Sequence, residues 1–370
     1  MRVASLEVFP VAIPFREPYL TASGSLAARE MAIVRLTDGE GITGHGDAVP
    51  LSLRGGPSLG RVIEQLESVA GPLVAAHPLE ALGEATDVLE SVAAVVTELE
   101  LAGVGPQVRA AVEISLLDLL GRARGEPIWE LLGAASARPV ECNGTLGAGE
   151  PGSVAEAAAR LCGDGFRTLK VKVGAGADRA RLLAVRKATG AEVALRADAN
   201  GAWTVAGARE QIASMTAIRL ELVEQPCASL EELAELRAGG LPIPVVADES
   251  VADAAGAERA AELGACDAAT LKLAKVGGVR AAIAIADLVP SYLSSALDSP
   301  LGIAAAAHTA QALPGEGFAA GLAHGLATTG LFADNVADPE PWLGPRLERL
   351  TGPGLGVEVD PDALERLRIR

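Results

Sequence analysis

The sequence predicts an α/β fold, a (β/α)8-type TIM barrel preceded by a small α+β domain, and three observations predict it. From Val140 onward, short apolar β-type runs alternate with Ala- and Glu-rich helical stretches, the pattern of parallel βαβ units. The ends of successive runs carry Lys172, Asp198, Glu224, Asp248, Lys272 and Asp298, which are separated by 26, 26, 24, 24 and 26 residues. A separation of that size is one strand, one helix and two loops, so these side chains should share one height around a barrel mouth. Before this region the chain reads strand, loop, strand, turn, strand and then helices.

In chain order, residues 3–13, 31–36 and 41–49 read as antiparallel strands, with Asp38-Gly39 as a hairpin turn. Residues 58–73, 78–99 and 105–124 have helical spacing of apolar residues. These elements make an N-terminal α+β domain over residues 1–130. The barrel, residues 131–335, has eight candidate strands at 140–146, 168–173, 192–197, 220–223, 244–247, 268–271, 292–297 and 318–322. Eight is the barrel number. Beyond it, residues 336–370 end in a strand and a short helix that can return to the first domain.

Composition excludes several classes. With 370 residues, 49% hydrophobic and 21% charged, the chain can bury a full core and is neither disordered nor fibrous. The net charge of -17, without any basic run, opposes nucleic acid and anionic membranes as partners. The opening MRVASLEVFPVAIPF lacks a basic segment and cleavage site and reads as structure, not as a signal. No stretch of about 20 apolar residues runs without turn signals, so a membrane span is not expected. Cys142, Cys162, Cys227 and Cys266 lie far apart without a CxxC pair, as buried free thiols of a cytoplasmic protein would.

Lysine usage points to chemistry. The chain has five lysines among its 31 basic residues, and Lys170, Lys172, Lys272 and Lys275 form two tight clusters, each at a strand end. Where arginine serves surface charge, a lysine at a strand end indicates use of its titratable amine; ordinary surface charge is the bland alternative. Asp198, Glu224 and Asp248 on adjacent strands would repel one another unless a cation joined them, and such oxygen donors suit Mg²⁺. The competing explanation is a structural ring of ion pairs with Lys or Arg. Asn200 and Glu249 lie close enough in sequence to orient these ligands or a lysine. Lys170 and Lys172, two apart on a strand, should face the same way and depress each other's pKa. Lys272, four strands further on, should approach a substrate from the opposite face. Two opposed amines flanking a carboxylate suit removal of the proton alpha to it, with Mg²⁺ stabilising the enediolate.

At these residues the sequence resembles the enolase superfamily, in its muconate lactonizing enzyme subgroup. The resemblance spans almost the whole chain, and the matching segments are GITGHGDAVP, AVEISLLDLLGRARGEPIWELLG, the KVK pair, DAN, EQP, ADES and LKLAKVGG. The resemblance implies the superfamily's modified barrel under an N-terminal capping domain, a homo-oligomer, and a small carboxylate substrate. It further implies Lys172 as general base, Lys170 as its pKa modifier, Lys272 as the opposing lysine, and Asp198, Glu224 and Asp248 as Mg²⁺ ligands. Segments 18–29 and 50–57 would cover the substrate. Asp47 stands where the family usually has glutamate. His308 is expected to be structural, and no histidine matches the mandelate racemase branch.

Dipeptide epimerases of the subgroup carry Asp-x-Asp after the eighth strand, whereas this chain reads GLAHGLATTGLFADN. LTASGSLAARE, SSALDSPLGIAAAAHTAQALP and HGLATTGLFADN are similar to o-succinylbenzoate synthases, which implies a syn-dehydration giving o-succinylbenzoate. By that resemblance Ser23 or Arg29 would meet a substrate carboxylate, and Asp298, Ser299 and Gly302 would shape the pocket. An N-acylamino acid racemase, a dipeptide epimerase and a muconate-type cycloisomerase are the alternatives. A metal-independent aldolase using a lysine Schiff base and an inactive substrate-binding barrel are the alternatives from other classes.

Overall fold

The fold comes from a computed structural model that describes every residue except 22–23, 53–54, 80, 82–83, 349 and 370. β1 (Val3–Thr21), β2 (Gly24–Asp38) and β3 (Thr43–Ala48) form an antiparallel sheet in that order. Both long strands exceed the expected ones. Segment 18–29, expected as a loop, largely continues the hairpin past an irregularity between Pro14 and Tyr19. At the second turn Asp38 Oδ1 accepts from the N–H groups of Glu40 and Ile42 at 2.9 and 2.8 Å, closing the turn with a side chain.

Helices α1 (Leu59–Gln65) and α2 (Gly71–Ala76), joined by a π turn, are followed by α3 (Ala85–Leu101) and α4 (Pro106–Arg124). α4 starts on a proline and stops at Gly125, whose φ of 72° L side chains rarely adopt. It lies directly on β3, where added methyl groups at Gly44 and Gly46 would strike α4's own backbone. This close approach is the reason for the glycine alternation in GITGHGDAVP. Asp118 of α4, fully buried, accepts from His45 N and Leu355 N at 2.8 Å each and pairs with Arg122. One carboxylate thereby joins sheet, helix and C-terminal segment.

The barrel region begins with α5 (Ile128–Leu131) and β4 (Val140–Glu141). β5 (Gly144–Leu146), α6 (Pro151–Gly163), β6 (Thr168–Lys172), α7 (Asp178–Thr189), β7 (Ala194–Asp198), α8 (Val205–Met215), β8 (Leu222–Glu224) and α9 (Leu230–Ala238) then alternate. The series continues through β9 (Val245–Ala247), α10 (Ala254–Leu263), β10 (Ala268–Leu271), α11 (Leu273–Val276), α12 (Val279–Leu288), β11 (Ser291–Leu293) and α13 (Pro300–Ala312). β5 to β11 make one parallel seven-stranded sheet in sequence order, curled and covered by the helices.

Two expected strands are corrected. Residues 318–322 contain a 3-10 turn, Phe318–Gly321, and not the eighth strand. The closing position belongs to His324 and Gly325, which bridge in parallel to Cys142 on one side and Ser294 on the other. The run at 318–322 is short and apolar, and periodicity cannot separate a strand from a turn at that length. The first expected strand, 140–146, divides: β4 pairs with β12 (Arg346–Leu347), and β5 enters the barrel. After α14 (Pro361–Arg366), the chain end lies along β1, with Ala12 N bonded to Leu367 O and Ile369 N to Pro10 O.

All four cysteines are free thiols, but only Cys142 and Cys227 are buried; Cys162 and Cys266 are half-buried. Among the described residues no helix is long and apolar enough to cross a membrane.

A Cβ at Gly46 would stand 2.5 Å from Ala111 O of α4. Gly46→Ala should therefore lower the unfolding free energy by about 1–3 kcal/mol through overpacking. A urea midpoint equal to that of the wild type would show that β3 can move off α4 freely.

Candidate active site

The parallel strands bring the expected strand-end residues to one rim. Lys172, Asp198 and Glu224 end β6, β7 and β8 and stand in register, Lys172 beside Asp198 and Asp198 beside Glu224. Asp248 directly follows β9, and Lys272 directly follows β10. Asp198, Glu224 and Asp248 are 0, 0 and 1% exposed, so their charge must be met by groups within the protein.

Lysines meet it. Lys170 Nζ lies 3.2 Å from Asp198 Oδ2 and 3.1 Å from Glu224 Oε1. Lys172 Nζ donates to Asp198 Oδ2 at 2.6 Å and to Asn200 Oδ1 at 2.7 Å. Asn200 in turn donates through Nδ2 to Glu249 Oε1 at 2.9 Å, so the two polar residues expected to orient the site are linked. Lys272 Nζ donates to Asp248 Oδ2. Lys275, which had no expected role, donates to the Asp248 carbonyl, to Asp248 Oδ1 at 2.9 Å and to Thr270 O at 3.2 Å. An ammonium has three N–H groups, and these contacts use all of them.

The electrostatics of the lysine pair differ from expectation. Burial holds Lys172 below its ordinary pKa against the pull of Asp198, and the Lys170 charge adds to the depression. Burial acts the same way on Lys170, but Glu224 and Asp198 outweigh it and hold that lysine above its ordinary value. The depression is one-sided because Lys170 touches two carboxylates. Burial opposes the ionisation of Asp198, yet Lys170 and Lys172 keep its pKa at about 2.

Three carboxylates on neighbouring strands are an all-oxygen donor set of the kind Mg²⁺ takes. Among the described residues, no three His, Cys, Asp or Glu side chains are gathered at ligand spacing, and the oxygens of these three carboxylates face ammonium groups. The donor chemistry fits the cation, and the same residues also form the ion-pair ring that was the competing explanation.

Three contributors were missed in the sequence. Gln225 has a φ of 39° and accepts with Oε1 from Asp248 N at 2.7 Å and Ser250 Oγ at 3.0 Å, which fixes the turn that carries Asp248. Its position immediately after Glu224 was a usable signal. Tyr292 donates to Glu224 Oε2 at 3.0 Å; a tyrosine in a barrel strand, one of two in the chain, was another. Glu113 of α4, fully buried, accepts from Val279 N at 2.6 Å and Arg280 N at 3.1 Å, against Gly278, where a side chain would collide with it. It thereby holds the loop that follows Lys275, and nothing local in its helix signals this.

The residues expected to meet substrate have these partners within the protein. Ser23 lies outside the described residues. Arg29, 5% exposed, donates to Pro50 O at 2.7 Å and to Ala296 O at 3.2 Å. Ser299 donates through N and Oγ to Asp47 Oδ2 at 2.8 and 2.7 Å. A Cβ at Gly302 would stand 2.6 Å from Asp47 Oδ1, so this glycine makes room for Asp47. Asp298, 8% exposed, accepts from Ala296 N at 2.9 Å. These groups join the N-terminal sheet to the barrel near Asp47, their buried polar atoms satisfied by the Pro50 and Ala296 backbone and by the Ser299–Asp47 pair. His308, buried in α13, is likewise used up on backbone: its Nδ1 accepts from Trp129 N, and Nε2 faces Leu355 O.

A parallel barrel with lysines on opposite sides of a carboxylate rim, closed against an N-terminal α+β layer, defines a class of acid–base enzymes. Residues 3–133 match the mandelate racemase / muconate lactonizing enzyme N-terminal domain, and residues 153–363 match the enolase C-terminal domain-like family. The chain belongs to the mandelate racemase/muconate lactonizing enzyme family of the enolase superfamily. It is similar to muconate cycloisomerase 1 of Rhodococcus opacus, 30% identical over 379 residues that cover 99% of this chain and 98% of that enzyme. It is 43% identical over 210 residues to the o-succinylbenzoate synthase of Mycolicibacterium smegmatis, covering 54% of this chain and 62% of that one. The dipeptide epimerase from Enterococcus faecalis V583, solved in complex with Mg and the dipeptide L-Leu-L-Tyr, superposes with a TM-score of 0.86 at 29% identity. That superposition covers 97% of this chain and all 100% of the epimerase.

Burial, and next the neighbouring Asp298, raise the Asp47 carboxyl to about 7 from an ordinary 3.8. The folded protein therefore keeps a proton that the unfolded chain releases, and stability falls as pH rises from about 4 to 7. Asp47→Asn lacks this group, so its stability relative to the wild type should rise over that interval. Denaturant unfolding at both ends of the interval checks it; a difference that does not change with pH means that Asp47 ionises as freely in the fold as outside it.

Proposed function

We propose that the chain removes the proton alpha to a substrate carboxylate with Lys172 and, as its particular reaction, dehydrates a cyclohexadiene carboxylate to o-succinylbenzoate. The chemistry is supported chiefly by one arrangement, Lys172, Asp198 and Glu224 in register on β6, β7 and β8, with Lys272 beyond Asp248 on the far side. The particular reaction is supported by the 43% identity to the Mycolicibacterium synthase over 54% of this chain, while the cycloisomerase and the epimerase match at 30% and 29% over 99% and 97% of it. The chain also lacks the Asp-x-Asp that would hold a dipeptide ammonium: residues 324–331 read HGLATTGL.

In this scheme the neutral amine of Lys172 takes the proton from the alpha carbon, and the C–H electrons move toward the carboxylate to give the enediolate, from which they return to the ring when the hydroxyl leaves. Asp198, Glu224 and Asp248 would hold Mg²⁺, which when bound supplies positive charge against the carboxylate of the enediolate. Lys172, now an ammonium, returns its proton to the departing hydroxyl on the same face; the C–O bond breaks, water leaves and the ring becomes aromatic. Asn200 and Asp198 keep Lys172 Nζ on that face, and Lys170 adds its charge nearby without exchanging protons. Lys272 stabilises charge from the opposite side. A second reading, racemisation or epimerisation of an N-acylated amino acid, draws on the presence of Lys272 and on the nearly complete overlap with the dipeptide epimerase. There Lys172 and Lys272 would exchange protons on opposite faces.

Purified enzyme with Mg²⁺ should turn over the cyclohexadiene precursor, and EDTA treatment should abolish turnover. Lys172→Ala should lower kcat by about 10²–10⁴-fold, the usual contribution of a general base. A folded, Mg²⁺-loaded protein that leaves the precursor untouched rules out the synthase reading. Deuterium exchange into N-acylamino acids that is lost in Lys272→Ala would then favour the racemase reading.

A further inference from the structure

Below the rim, the barrel interior contains a polar layer that the scheme above does not use. Arg196 lies two residues before Asp198 on β7 and is fully buried. Its Nε donates to Glu221 Oε2 at 2.5 Å, and Nη1 donates to Ala323 O at 2.6 Å beside the barrel's closing residues. Among the described residues Nη2 has no hydrogen-bond partner. The guanidinium carbon stands 5.0 Å from the centroid of the Tyr292 ring, within cation–π reach.

Tyr292, on β11 and 1% exposed, is packed with Leu222, Val246, Ala268 and Leu322. Its hydroxyl reaches out of this apolar floor to Glu224 Oε2 at 3.0 Å, with the Thr270 side chain also beside it. An ionised carboxylate can only accept, so the tyrosine donates. Lys170 Nζ straddles the carboxylate, 3.1 Å from Oε1 and 3.3 Å from Oε2, and so does not by itself favour one rotation of it. The last torsion of a glutamate is broad and restrains its oxygens weakly, so a fixed donor on one oxygen decides how the carboxylate is turned. Tyr292 can be that donor because its ring is fixed from below by Arg196, which is itself held at Glu221 and Ala323.

We propose that Tyr292, seated on Arg196, is a positioning residue that sets the rotation of the Glu224 carboxylate for a divalent cation. The proposal rests on the reading of Asp198, Glu224 and Asp248 as the residues that hold Mg²⁺. It gives the barrel floor a function beyond packing: the tyrosine touches neither substrate nor reacting atoms and acts entirely through Glu224.

The test is binding of Mn²⁺, followed by electron paramagnetic resonance, to metal-free wild type, Tyr292→Phe and Glu224→Gln. Tyr292→Phe keeps the ring on Arg196 and removes only the hydroxyl. It should bind Mn²⁺ about 10–100-fold more weakly, the usual loss when a group that orients a metal ligand is removed. Its thermal midpoint without metal should match the wild type, and excess Mg²⁺ should restore its kcat. Equal Mn²⁺ affinity in wild type and Tyr292→Phe, with Glu224→Gln weakened, overturns the role of Tyr292 and leaves the cation reading standing. A lowered thermal midpoint without metal would make the effect one of folding and also overturn it. Wild type that takes up no Mn²⁺ overturns both.

Discussion

Burying Asp198, Glu224 and Asp248 side by side is the constraint on which the rest of the site depends. Taken from water, each carboxylate needs compensation, and adjacent strands leave no space to separate them. The protein answers with ammonium groups from two strands. Lys170 spans Asp198 and Glu224, while Lys272 and Lys275 share Asp248. Uncharged donors complete the arrangement, Gln225 through the Asp248 backbone and Tyr292 at Glu224. Lysine is suited to the task because its compact charge can be displaced on a flexible stem, and at Lys172 burial makes that charge easier to lose.

The N-terminal layer is tied to the barrel at the loops that carry this chemistry. Glu113 binds the backbone at the start of α12, just beyond Lys272 and Lys275. Asp47 binds Ser299 at the start of α13, and Arg29 reaches the Ala296 carbonyl. Glycine gives the space in both joints, Gly278 against Glu113 and Gly302 against Asp47. Buried carboxylates facing helix N-termini are favourable partners for the unpaired N–H groups there, so each joint satisfies the backbone while it fixes a rim loop. Asp47 lies so close to Gly302 that a side chain on that glycine would strike its carboxylate.

What was legible in the sequence is what period and spacing encode. Alternation of apolar strands with helices identified the parallel sheet, and constant separations placed Lys172, Asp198, Glu224, Asp248 and Lys272 at one rim, because a βαβ unit has a nearly fixed length. The eighth strand escaped because its two pairing residues, His324 and Gly325, have no periodicity, while the more apolar run before them forms a 3-10 turn. The sequence by itself thus determined the architecture and the set of charged residues at its mouth.

Only the tertiary structure decided which groups face one another. Arg29, Ser299 and Gly302 meet Asp47 and the neighbouring backbone, and Tyr292 rises from the floor to Glu224. Lys170 and Lys172 also part in their electrostatics, because one contacts two carboxylates and the other is paired with one. The physical reason is common to all of them. Strand period sets the height and face of a residue, but hydrogen bonds and pKa shifts depend on distances of a few ångströms between segments far apart in the chain, which are settled only when those segments pack.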